Sequence, residues 1–254
     1  MDRTPSTPEF VQCGSGPIVF VSPGIGDAPD DWQALSACLQ RTLLVPRNGF
    51  HTGSWDWHAA PDGDWQRWWQ NQLRLHIQST GITTVIAHSR GVADALQAIS
   101  ELPHVRTVVA IAPPTASYPR IDDNVPCPPE EDTDDLTIGL MNRCLGPLCH
   151  GMDYDVYRAM LRRHQLEYGD RFKRIMRMED PTKHRLAEKT IALLREAVRK
   201  GIDIRIIACS QDPWHDPREL TRIIDGTNLI PTTLPLGHYP HVSSPVLTAA
   251  CMQR

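Results

Sequence analysis

Six short runs of aliphatic and β-branched residues recur along the chain, near Ile18, Leu43, Val85, Val108, Ile206 and Leu229. Each is nearly continuous in apolar side chains, which is the pattern of strands covered on both faces in a parallel sheet. Helical patterns alternate with them, as the crossovers between parallel strands require. The clearest runs from Asp64 to Ile77, where Trp65, Trp69, Leu73 and Ile77 fall at four-residue spacing with Trp68 beside them. A stripe of that width predicts packing against a sheet rather than a ligand box. Asp30-Asp31-Trp32 predicts the start of the first helix, with an acidic cap and an aromatic anchor, and Leu186 to Lys200 predicts a helix leading back to the Ile204 strand.

The alternation breaks after Val108 to Ala112. Pro113-Pro114 ends that strand, and a proline- and acid-rich tract continues through Pro126-Cys127-Pro128-Pro129-Glu130-Glu131 to Asp135. Such composition builds no core and reads as an exposed connector. Helical pieces follow between Leu136 and Asp180, including Val156, Met160, Arg162 and Arg163. The pattern therefore predicts an α/β fold with one core in two parts, 1–112 and 183–254, and an insertion at 113–182. A chain of 254 residues with 41% hydrophobic content can bury a single core of this kind.

Composition narrows the partners. A net charge of -4 supplies no basic field for nucleic acid or an anionic membrane, so a small-molecule substrate is expected. No apolar stretch approaches the roughly 18 residues that span a bilayer, and Met1 to Gln12 is polar, so a soluble, cytoplasmic protein is expected. Seven cysteines are scattered without a pairing pattern and read as reduced thiols. Cys144, Cys149 and His150 match no zinc spacing, and no phosphate-binding or dinucleotide glycine loop is present, so neither metal nor cofactor is expected. Oligomeric state is left open.

The chemistry concentrates at Ala87-His88-Ser89-Arg90-Gly91, which follows the run Thr83 to Ile86 and precedes the helical Val92-Ala93-Asp94-Ala95-Leu96. Strand, sharp turn and helix with serine at the apex describe a nucleophile elbow, whose cramped backbone requires small residues two positions either side, here Ala87 and Gly91. Later, Ile204 to Ala208 leads into Cys209-Ser210-Gln211-Asp212-Pro213, and Leu229 to Leu234 leads into Gly237-His238-Tyr239-Pro240. A serine hydroxyl is a poor nucleophile at neutral pH and needs a base to take its proton, and an imidazole base needs a carboxylate to fix its tautomer. His238 and Asp212 are the candidates. Asp216 is the reserve acid, and His241 competes with His238. The duller readings are Ser89 as a helix N-cap and Asp212 as a turn residue before proline. His88 and His215 are expected to be structural.

In this order of serine, acid and histidine the chain resembles the alpha/beta-hydrolase superfamily, from about Pro17 to the C-terminus. The resemblance implies a mostly parallel sheet of about six strands, helices on both faces and a helical cap over the site at the insertion. It implies an oxyanion hole made by the backbone N–H of Arg90 and a second N–H from the loop after the first parallel strand. There Pro23-Gly24 stands where the superfamily usually has His-Gly, so Ile25 is the expected donor. Some sixteen residues precede Pro17, too few for the superfamily's opening antiparallel pair. Trp55 and Trp57, on an aromatic loop after the second strand-like run, are candidate pocket walls. The activity implied is hydrolysis of a carboxylic ester, lactone or thioester through an acyl-enzyme. The same trio can instead run acyl transfer or cyclisation, and a non-catalytic small-molecule receptor is the reading from another class.

Overall fold

The computed structural model describes residues 8–24, 27–47, 65–115, 151–157, 159–160, 186–212, 214–215, 217–227 and 229–253. Seven strands form one sheet: β1 (Phe10–Cys13), β2 (Ile18–Ser22), β3 (Thr42–Pro46), β4 (Thr84–His88), β5 (Thr107–Ile111), β6 (Asp203–Cys209) and β7 (Thr232–Leu234). Their spatial order is β1-β3-β2-β4-β5-β6-β7, parallel throughout except for β1, which runs antiparallel to β3 with Phe10 opposite Pro46. This is one strand more than the apolar runs predict. β1 has only four residues and an exposed Gln12, so it lacks the continuous apolar signature of a covered strand. It pairs on one side alone, as an edge strand does. β7 is shorter than its apolar run because Pro231 has no N–H to give to a ladder, and Ile230 before it is 91% exposed.

Side chains leave the strands alternately toward two cores. Phe20, Val85, Ala87, Val108, Ala110, Ile204, Ile206 and Ala208 face one, with α2 (Trp65–Thr80), α3 (Arg90–Ile99), α4 (Leu186–Arg199) and α5 (Pro217–Ile224) laid over them. Val19, Val21, Ile86, Val109, Ile111, Ile207 and Cys209 face the other, covered by α1 (Gln33–Leu39) and α7 (Pro245–Met252), with the short α6 (Pro240–Ser243) beside them. This period of two, read on both faces, is why the strand runs are apolar without interruption. On α2, Trp69, Leu73 and Ile77 are buried and Trp68 is partly buried, so the described part of the predicted stripe is core. Before α1, Pro29–Trp32 forms a 3-10 turn in which the Asp31 carboxylate accepts the N–H of Ala28 at 2.8 Å, and Trp32 is fully buried.

From β2 the chain passes to β3 on one side and returns to β4 on the other. The carboxyl ends of β2 and β4 are therefore the point where the winding reverses, the place an open α/β sheet leaves a crevice for a ligand. Of the insertion, residues 116–150, 158 and 161–182 lie outside the described residues. The described part near Gly151 packs on the sheet's loop edge, since a Cβ on Gly151 would lie 3.0 Å from a methyl of Leu236. Among the described residues, no helix is long and apolar enough to cross a membrane.

Replacing Leu73 with alanine empties a fully buried position between α2 and the sheet. Urea denaturation should show a loss of about 2–5 kcal/mol. Val246→Ala, at a position 71% exposed on α7, should stay within about 0.5 kcal/mol of the parent.

Candidate active site

Ser89 occupies the hinge between β4 and α3 at φ +52° and ψ -129°, outside the regions L-residues favour. The surroundings hold it there. Its N–H donates to the carbonyl of Ile111 at 2.9 Å, and its carbonyl accepts the N–H of Val92 at 3.0 Å. Gly91 lies so close to the end of β2 that a Cβ there would come within 2.3 Å of the Ser22 carbonyl oxygen and 2.5 Å of that of Pro23. The Ser22 hydroxyl closes the same contact by donating to the Gly91 carbonyl at 2.9 Å. The Ser89 side chain makes no cap hydrogen bond to α3, so the N-cap reading does not account for its hydroxyl.

That hydroxyl lies 2.7 Å from Nε2 of His238, and Nδ1 of the same ring lies 2.7 Å from Oδ2 of Asp212. The second carboxylate oxygen accepts the N–H of Trp214 at 2.9 Å. All three side chains are buried. Burial alone would raise the Asp212 carboxyl, but His238 and the Trp214 N–H outweigh it and hold it below the usual carboxylate range. Asp212 accepts from ring and backbone together, which fixes both the carboxylate and the tautomer that leaves Nε2 facing the serine. The arrangement has the geometry for a proton to pass from the hydroxyl to the imidazole while the carboxylate stays ionised.

The other expected residues fall out as follows. Arg90 is the first residue of α3, with its side chain 3.8 Å from the Asp94 carboxylate. Gln70 donates to that same carboxylate at 2.8 Å. Ile25, Trp55, Trp57 and Asp216 lie outside the described residues, as do Cys144, Cys149 and His150. His215 turns away to Thr115, 3.2 Å between Nδ1 and Oγ1. His241 sits behind the site, its ring stacked on Trp32 at 4.2 Å between centroids. His88 is completely buried, with Nδ1 2.8 Å from Oδ2 of Asp27 and Nε2 2.7 Å from the backbone carbonyl oxygen of His238.

Asp27 is the one member of this assembly that sequence reasoning passes over. It lies three residues beyond Gly24, and its carboxylate accepts the Gly24 N–H at 2.7 Å. The available signal was an acid closing a glycine turn directly after β2, the loop expected to supply an oxyanion donor. Asp27, His88 and His241 also bring three ligand-type atoms within 4.8 Å of one another. The direct 2.8 Å contact between Asp27 and His88 accounts for two of those groups as an ion-paired hydrogen bond.

Residues 18–250 match the model of an alpha/beta hydrolase family. No curated protein matches the chain by sequence. Among solved structures, the chain is similar to a meta-cleavage product hydrolase from Pseudomonas fluorescens IP01, with TM-score 0.67 and 11% identity over 97% of this chain and 94% of that one. It is also similar to an N-acyl homoserine lactone degrading enzyme, with TM-score 0.64 and 11% identity over 97% and 95%. A thioesterase domain from the curacin biosynthetic pathway gives TM-score 0.63 and 11% identity over 96% and 94%. At such identities the structural likeness speaks for the fold alone. The family match spans nearly the whole chain and agrees with the sheet order and the serine-bearing hinge: the protein belongs to the alpha/beta hydrolase family.

Proposed function

We propose that the protein is a serine hydrolase that cleaves a carboxylic ester, lactone or thioester through an acyl-enzyme on Ser89. The observation that carries this reading is the unbroken chain of two 2.7 Å contacts from the serine hydroxyl through His238 to Asp212, set on a strained hinge. In the first step Nε2 of His238 takes the hydroxyl proton as Ser89 Oγ bonds to the substrate's carbonyl carbon. The resulting oxyanion is met by backbone N–H groups, Arg90 and Ile25 in this reading. The intermediate then expels the alcohol or thiol, which leaves with the proton from His238. Water repeats the sequence, with His238 taking its proton, and releases the acid and the free serine.

Three further points support this reading without fixing the substrate. The hinge lies at the reversal of the sheet winding, where ligands reach open α/β sheets. The segment at Gly151, inside the insertion of 113–182, meets Leu236, two residues before His238, which supports reading the insertion as a cap. Similar structures include one described as a thioesterase domain and one described as degrading N-acyl homoserine lactones, both acyl-carbonyl chemistries. Trp55 and Trp57 are assigned to the pocket wall on their place in the sequence.

Ser89→Ala should abolish both turnover of a short-chain p-nitrophenyl ester and labelling by a fluorophosphonate probe, with the melting temperature nearly unchanged. Surviving activity would move the chemistry to another nucleophile. Asp212→Asn should lower kcat by roughly 10⁴-fold by permitting the wrong tautomer. The carboxylate's depressed pKa also makes a pH prediction. Its stabilising contribution is present above the unfolded carboxylate value of about 3.9 and is lost as the pH falls below it. Denaturation curves of the parent and Asp212→Asn should therefore converge in acid. Gly91→Ala places a methyl against two main-chain oxygens of β2 and its exit loop, so the hinge must shift. Its kcat should fall of order 10²-fold.

A further inference from the structure

Two carboxylate–imidazole pairs stand side by side at the carboxyl edge of the sheet, and only one of them reaches the serine. In the second, His88 is the last residue of β4 and precedes Ser89, Asp27 lies in the loop after β2, and both are completely buried. Nδ1 of His88 faces the Asp27 carboxylate, at 2.8 and 3.0 Å to its two oxygens, and Nε2 faces the main-chain carbonyl of His238 at 2.7 Å. A carbonyl oxygen can only accept, so Nε2 must carry a proton. With Asp27 ionised, its oxygens can only accept as well, and Nδ1 then carries the other.

We propose that Asp27 and His88 form a permanently charged positioning pair, an imidazolium held by a carboxylate, that locks the base His238 and the loop after β2 to the nucleophile hinge. The inference rests on the serine-hydrolase reading above. One end of the pair holds Gly24, whose N–H donates to Asp27 at 2.7 Å just ahead of Ile25. The middle is the residue before the nucleophile. The far end grips the main chain of His238 through its carbonyl. Three loops from β2, β4 and β7 are thus tied through two side chains.

Stability alone does not account for such a pair. Taking two charges out of water costs several kcal/mol for each ion, and apolar residues of similar volume often serve a core as well or better. A buried pair whose contacts beyond each other reach the main chain of two loops of the site has a geometric use that an apolar pair could not fill. Every described group facing it is consistent with a fixed charge. His241 places Nε2 3.9 Å from Asp27, and the rings of His238, Tyr239 and His241 lie 4.9, 5.3 and 4.5 Å from that of His88. Burial opposes a charge on His88, but Asp27, the His238 carbonyl and the more distant Asp212 outweigh it, and its pKa is raised. Asp27 is correspondingly held well below the usual carboxylate range despite its burial.

Three variants and one spectroscopic measurement test the proposal. In the parent protein, ¹⁵N NMR should show His88 with both nitrogens protonated at neutral pH, and this state should vanish in Asp27→Asn. Fluorophosphonate labelling and ester kinetics should show Asp27→Asn and His88→Leu slowed roughly 10- to 100-fold, with kcat falling and KM held. His88→Gln, whose amide can still donate to the His238 carbonyl, should recover part of the loss seen in His88→Leu. A merely structural role would lower the melting temperature of these variants and leave kcat of the folded fraction unchanged. That result, or a neutral His88 in the parent, or one equivalent of zinc bound at Asp27, His88 and His241 in the purified protein, would overturn the proposal. Failure of the underlying reading looks different: the parent itself would not be labelled at Ser89, although the protonation state of His88 would still be read by NMR.

Discussion

The backbone at Ser89 is the constraint around which the rest is arranged. A non-glycine residue at φ +52° and ψ -129° carries strain of about 1–3 kcal/mol, and persists only where neighbours over-determine it. Here the hinge N–H is tied to β5 through Ile111, its carbonyl starts α3 through Val92, and Gly91 sits nearly in contact with the last carbonyls of β2 and its exit. Each of these ties lies on a different element. The sheet must therefore be complete across β2, β4 and β5 before the serine is presented, which links the stability of the core to the geometry of the hydroxyl.

The order of the strands then decides what can meet that hydroxyl. Since β2 and β4 are neighbours while β3 lies on the far side of β2, the loops after β2 and β4 open on the same crevice. β6 and β7 follow in parallel, so their carboxyl ends face the same edge and bring Asp212 and His238 to it. Two imidazoles end up within 4.9 Å of each other, each with its own carboxylate. Their remaining nitrogens distinguish them. His238 faces a hydroxyl, which can give up a proton, and His88 faces a carbonyl, which cannot. In the proposed mechanism the same pair of residue types thus serves proton exchange in one case and anchorage in the other.

Much of this was legible in the sequence because it rests on local patterns. Continuous β-branched runs marked the covered strands, and the small residues flanking Ser89 marked the hinge, since both follow from contacts within a few residues. What stayed hidden depends on partners distant along the chain. β1 is four residues long and draws its identity from register with β3. Asp27 is one acid among thirty acidic residues until folding sets it against His88, 61 positions away. His238 and His241 share the same short stretch, and only the crossing of α6 behind Trp32 separates the one that reaches Ser89 from the one that stacks away from it. The residues expected to shape the pocket, Trp55 and Trp57, lie outside the described residues, in a glycine-punctuated stretch of sequence for which no short-range rule dictates a path.

The proposed chemistry also depends on a thiol held protonated nearby. Cys209 ends β6, three residues before Asp212, and a thiol is intrinsically a better nucleophile than an alcohol once ionised. Burial pushes the Cys209 thiol up, and the Asp212 carboxylate adds to the shift, so at neutral pH it remains protonated. The carboxylate that pairs with His238 thus also disfavours an anion on Cys209. In the proposed mechanism Ser89 gains its reactivity from the base beside it rather than from any intrinsic acidity, and the buried, protonated sulfur of Cys209 does not compete.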